Sequence, residues 1–97
     1  MRKAFRVDRK HDFVIDLNKQ PDGTIKIYAP IAPPDPHGKG ASAHHRYANG
    51  EICVGVGKEP RTYSKAEAIA RYWAERYSAY VSSRTGTFSD TGAKVNV

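Results

Sequence analysis

At 97 residues, 39% of them hydrophobic, the chain suits one domain, residues 1–97, with one modest core, and it holds too many core formers for disorder throughout. A single cysteine excludes an internal disulfide, and no apolar run is long enough for a signal peptide or a membrane span, so a cytoplasmic protein is expected. The formal net charge of +6 admits phosphates or an acidic protein surface as partners.

Much of that charge lies in the opening segment, residues 1–11, where Arg2, Lys3, Arg6, Arg9 and Lys10 are opposed only by Asp8 and, just beyond, Asp12. It reads as a solvated basic tail or as a basic binding surface. Phe13, Ile15 and Leu17 then alternate with Val14 and Asp16, and Ile25 and Ile27 alternate around Lys26, on either side of NKQPDG. Alternation about a Pro-Asp-Gly turn predicts an antiparallel hairpin, whose apolar face needs a cover. Residues 29–43 carry four of the six prolines and two glycines, which predicts a long loop, either a plain linker or a functional one.

That loop leads into HHRYANGEIC, His44 to Cys53. Asn49 and Gly50 signal a tight turn, so Cys53 is placed a fixed few residues past a bend. Glu51 to Val56 reads as a further strand, with Ile52, Val54 and Val56 on one face and Cys53 on the other. A lone cysteine between Ile52 and Val54 is commonly a small buried hydrophobe. His44, His45 and Arg46, however, are near enough in sequence to lower a thiol's pKa.

The most definite element is a helix from Lys65 to about Ser82. Ser64 and Glu67 spell a capping box, and Ile69, Tyr72, Trp73, Tyr77, Tyr80 and Val81 recur at spacings of three and four. The stripe predicts core packing over the hairpin rather than a platform for bases. Tyr63 and Phe88 flank it, Gly86 is a stop signal, and residues 89–97 read as an edge strand or a flexible tail. The predicted fold is α+β: an antiparallel meander of three to four strands packed against one long C-terminal helix.

Other chemistries are less well supported. His37, His44, His45 and Cys53 match no common zinc spacing, so no metal and no cofactor is expected. GVGK at Gly55 to Lys58 lacks the full phosphate-loop pattern, and a hydrolytic Cys-His pair has no evident third residue.

AHHRYANGEICV, Ala43 to Val54, resembles the segment of ubiquitin-conjugating enzymes that runs from a His-Pro-Asn motif through a tyrosine and a glycine turn to an active-site cysteine. Cys53 falls where the family's catalytic cysteine falls. His45 replaces the motif's asparagine, as in the bacterial branch, where a histidine stands two residues before the tyrosine. YWAERYSAYVSSRTGTF, Tyr72 to Phe88, is similar to the Trp-rich helix and Thr-Gly-aromatic signature of that branch. The resemblance covers roughly Phe13 to Phe88. Against the family the chain reads as a reduced core, without a helix before the first strand or helices after Val97.

The resemblance implies that Cys53 accepts a ubiquitin-like modifier as a thioester from an activating-enzyme-like protein and passes it to an amine. By the same token His45 assists the chemistry, with His44, Tyr47, Asn49 and Gly50 in support. Bacterial relatives occur with such partners, including in anti-phage defence. Two other readings stand beside it. One is a non-catalytic basic module that binds nucleic acid or an acidic protein through the opening segment. The other is a degenerate conjugating-like fold serving as a scaffold or inhibitor.

Overall fold

The computed structural model describes residues 1–55, 57–86 and 88. Three strands, β1 (Arg2–Val7), β2 (His11–Lys19) and β3 (Ile25–Ile31), form an antiparallel sheet in that order. A single turn of helix, α1 (Ala41–His44), and a 20-residue helix, α2 (Tyr63–Ser82), complete the fold. This is the α+β meander and helix that the sequence predicts.

The opening basic segment is a strand. Lys3, Phe5 and Val7 turn toward α2, while Arg2 and Arg6 lie on the outer face, in register with Asp16 and Asp12. Each guanidinium grips its carboxylate with two hydrogen bonds, 2.7 and 2.6 Å for Arg2, 2.6 and 3.1 Å for Arg6. These exposed pairs fix cross-strand register more than they add stability. Between the strands Asp8 and Arg9 both take positive φ, 53° and 58°, and Lys10 N–H donates to Val7 O at 3.0 Å. That is the mirror-image turn that suits the twist of a hairpin, made here without glycine.

The Pro-Asp-Gly turn joins β2 to β3 as predicted. Gly23 supplies φ +89°, and Asp22 Oδ1 accepts from the Thr24 N–H and hydroxyl. The β2–β3 register slips by one residue between Val14 and Asp16, so β3 carries an extra residue beside Pro30. A bulge is where a strand tolerates a proline.

Phe13, Ile15 and Leu17 of β2 and Ile25, Ile27 and Ala29 of β3 are buried under α2. Ala66, Ala70 and Ala74 let the helix approach closely, and Trp73, Tyr77 and Tyr80 fill the remaining width. Phe13 meets the edges of Trp73 and Tyr77 and stacks on Phe5, centroids 5.9, 6.2 and 5.8 Å apart. Burying such a ring stabilises the fold by about 2–3 kcal/mol.

The helix begins two residues earlier than the Ser64 box implies. Thr62, extended at φ −124°, is the cap, and its hydroxyl accepts from Lys65 N–H at 3.2 Å. Glu67 instead pairs with Lys3 of β1 at 2.8 Å and with Arg71 at 2.9 Å. In place of the expected strand from Glu51, the described residues among 50–55 and 57–60 meet β3 through intermittent bonds: Ala29 N–H to Gly50 O (2.7 Å), Ile52 N–H to Ile27 O (2.8 Å) and Ile25 N–H to Pro60 O (2.9 Å). Val56 and the predicted tail, residues 89–97, lie outside the described residues.

Candidate functional site

The segment from His45 to Cys53 is a miniature antiparallel ribbon. Arg46 pairs with Ile52, flanked by Tyr47 N–H to Glu51 O and Cys53 N–H to His45 O, both 2.8 Å. Gly50 N–H donates to Tyr47 O at 2.8 Å, and Asn49 Oδ1 accepts from Glu51 N–H at 2.9 Å. The positive φ of the bend falls on Gly50 (+90°), packed against the Ala29 carbonyl, while Asn49 contributes its side chain. His45 also has positive φ, 61°, at the exit from α1.

Alternation along this ribbon sorts the side chains. Ile52 faces the core at 3% exposure, whereas Cys53 is exposed. Arg46 reaches inward and donates from Nε and Nη2 to Ala29 O, at 3.0 and 2.7 Å, which ties the ribbon to β3. On the outer side the Tyr47 hydroxyl lies 3.2 Å from Cys53 Sγ, and Tyr47 is itself 47% exposed. The hydrogen bond with Cys53, and then the charge of its thiolate, push the Tyr47 phenol above its ordinary value. A phenol that resists ionisation remains a donor to a thiolate.

The two histidines part company. His45 stands directly across the ribbon from Cys53, joined through the main-chain hydrogen bond, and its ring meets Phe88 edge-on at 5.3 Å. His44 is turned into the core at 6% exposure, between the rings of Tyr77 and Tyr80. Its carbonyl accepts from Trp73 Nε1–H at 2.8 Å, and its Nε2 lies 3.5 Å from Asp35 Oδ2. Burial lowers the His44 pKa, against the opposing pull of Asp35, so the ring is neutral near pH 7. His44 therefore holds α1 against α2.

Asp35, which the sequence reading passed over, organises the proline-rich loop. Its carboxylate accepts from Tyr80 Oη–H and His37 N–H, both 2.8 Å, and from Lys39 N–H at 3.0 Å. Burial alone would raise its pKa, but these bonds prevail and hold it at about 2. Tyr77 Oη–H donates to Pro33 O at 2.8 Å, and Lys39 Nζ reaches the carbonyls of Thr85 and Gly86. The aromatic stripe of α2 thus packs the core and clamps the loop that precedes the site. An aspartate set among prolines is a turn signal, but it does not disclose the contact with Tyr80.

The remaining predicted residues lie elsewhere. Lys3 is engaged with Glu67, and Arg2 and Arg6 with their β2 carboxylates, while Arg9 and Lys10 are exposed in the β1–β2 turn. Among the described residues no three or more His, Cys, Asp or Glu side chains gather in a metal-holding group, and no helix is long and apolar enough to cross a membrane. Comparison of the chain with protein-family models, curated proteins and solved structures yields no match.

Proposed function

We propose that the chain is a minimal ubiquitin-conjugating-enzyme-like carrier that holds a ubiquitin-like modifier as a thioester on Cys53. The observation that carries the reading is the exposed Cys53 thiol, with a tyrosine hydroxyl 3.2 Å away on a turn tied to the sheet. An exposed thiol is open to attack on a carbonyl, and a hydroxyl beside it can donate to an oxyanion formed there. The resemblance of residues 43–54 to the family's active-site segment adds the reaction type.

In the first step Cys53 Sγ attacks the thioester joining the modifier's terminal carbonyl to an activating-enzyme-like partner. A new carbon–sulfur bond forms, the old one breaks, and the partner's thiolate leaves. In the second step an amine attacks the same carbonyl, the carbon–nitrogen bond replaces the bond to Cys53, and the thiolate is restored. His45, opposite Cys53 on the ribbon, takes the role of aiding loss of the amine's proton. Tyr47 supports the thiolate, and Asn49 and Gly50 hold the turn.

The test is recovery of the protein from its native cells under non-reducing conditions, beside a Cys53→Ser variant. A protein adduct that depends on Cys53 and is released by added thiol is the expected result. No such adduct, together with full biological activity of the variant, would refute the proposal in favour of a scaffold or binding module.

A further inference from the structure

The chain that leaves α2 turns back toward the site. At the end of the helix the Ser83 N–H and hydroxyl both donate to Tyr80 O, at 3.1 and 2.8 Å, and Gly86 N–H donates to Ser83 Oγ at 3.0 Å. Gly86, buried and at φ +66°, lies against the His37 ring. Lys39 Nζ holds this return from the loop side, donating to Thr85 O at 3.0 Å and to Gly86 O at 3.1 Å. A strap fixed at these points brings Phe88 to 6.2 Å from the Tyr80 ring and 5.3 Å from the His45 ring, so that it touches core and site together.

The main chain of His45 is fixed on both sides. His44 before it is buried between Tyr77 and Tyr80 with its carbonyl bonded to Trp73, and the His45 carbonyl accepts from Cys53 N–H at 2.8 Å. Main-chain bonds do not choose among the rotamers of an imidazole, which packing against the ring does. Phe88 meets that ring edge-on, at an interplanar angle of 74°, the arrangement that aromatic pairs favour. Rotamer matters here because a general base must lie within hydrogen-bond reach of the proton it takes.

We propose that Phe88 is a positioning residue for amine transfer at Cys53, holding the His45 imidazole in the rotamer that takes the amine's proton. This role rests on the reading of Cys53 as a thioester carrier. As the amine nitrogen bonds to the carbonyl carbon, its proton passes to His45, the carbon–sulfur bond breaks and the electron pair returns to Sγ as thiolate. The imidazolium then releases its proton to water. A residue that merely covered Tyr80 would need only an apolar side chain, which leucine supplies, whereas edge-on contact with an imidazole needs a ring.

The test loads the full chain with an acetyl group on Cys53, its one cysteine, by exchange with S-phenyl thioacetate, and follows transfer to added butylamine at neutral pH by mass spectrometry. His45→Ala should slow transfer by about tenfold or more, and Phe88→Leu by about threefold or more. Phe88→Tyr, which keeps the ring, should transfer as the parent does. In the double variant His45→Ala, Phe88→Leu, leucine should add nothing to the loss, because Phe88 acts through His45. Nuclear Overhauser contacts between the rings of residues 45 and 88 should appear in the parent and in Phe88→Tyr, a reading that does not depend on the leucine variant folding. Absence of those contacts, a further loss in the double variant, or unchanged transfer in Phe88→Leu beside a slow His45→Ala would overturn the proposal and leave the carrier reading standing. Unchanged transfer in His45→Ala would remove that ring from the chemistry and overturn the proposal with it. A folded Cys53 that takes no acetyl group would overturn the carrier reading and, with it, this one.

Discussion

Tyr47 and Cys53, six residues apart in sequence, are diagonal neighbours on the outer side of one ribbon, with hydroxyl and thiol 3.2 Å apart. The contact exists because Gly50 closes the bend and the Arg46–Ile52 pair points the intervening side chains inward. Tyr47→Phe removes the hydroxyl beside Cys53, and with it the bond that a thiolate there would accept. Alkylation of Cys53 at neutral pH should slow several-fold, measured by mass spectrometry of the folded protein. Reciprocally, Cys53→Ala should bring the Tyr47 phenol back down toward its ordinary value, read by ultraviolet titration.

Arg46 links that ribbon to the sheet through two hydrogen bonds to one carbonyl, Ala29 O. Arg46→Met keeps the aliphatic length and abandons both bonds. A loss of about 2–3 kcal/mol is expected in urea unfolding. Exchange of the Cys53 amide, bonded to His45 O, should quicken more than that of β2 amides, because the ribbon loosens before the sheet does.

The hairpin about Gly23 and the helix were legible because their signals are local: alternation, a Pro-Asp-Gly turn, and aromatics at helical spacing. β1 was hidden by its turn. Asp8 and Arg9 adopt positive φ without glycine, so charge was more conspicuous than the inward alternation of Lys3, Phe5 and Val7. In the site, the turn at Asn49 and Gly50 could be read, but not the division of labour between adjacent histidines. A left-handed residue at His45 swings the chain between them, sending His44 into the core while His45 stays beside Cys53. Asp35 was equally hidden, since its partners on α2 lie 45 residues away.

Asp35 makes acid stability a test of the loop clamp. Its pKa falls from 3.8 in the unfolded chain to about 2 in the fold, so its contribution is complete above the unfolded value and is lost as pH drops through the folded one. The shift corresponds to about 2 kcal/mol. Asp35→Asn should be less stable than the parent by roughly that amount at neutral pH. The difference between them should close between about pH 4 and pH 2 in urea titrations.

His44 gives the opposite end of the acid range its own dependence. Burial holds its folded pKa below 6.5, against Asp35 at 3.5 Å, with Arg46 and His45 adding to the depression. The unfolded chain therefore takes up a proton that the fold resists, and stability falls as pH drops below the unfolded value. His44→Phe, which preserves ring packing against Tyr77 and Tyr80, should lessen the change in urea midpoint between about pH 7 and pH 5. An unchanged slope would mean that the ring is not held neutral.

Gly86 and Gly38 both have positive φ, 66° and 63°, yet they should respond differently to alanine. A Cβ on Gly38 meets nothing within 4 Å, so Gly38→Ala bears only the left-handed backbone cost, about 1 kcal/mol. A Cβ on Gly86 would stand 2.6 Å from His37 Cγ and 3.0 Å from its Nδ1. That ring cannot turn aside freely, because its Nε2–H donates to Tyr80 O at 3.1 Å and it packs edge-on against Tyr80. Gly86→Ala should therefore cost about 3 kcal/mol. The excess over Gly38→Ala, measured by urea unfolding, reports how firmly the proline-rich loop is held against the end of α2. In the double variant Gly86→Ala, His37→Ala, where the obstructing ring is gone, most of that excess should vanish.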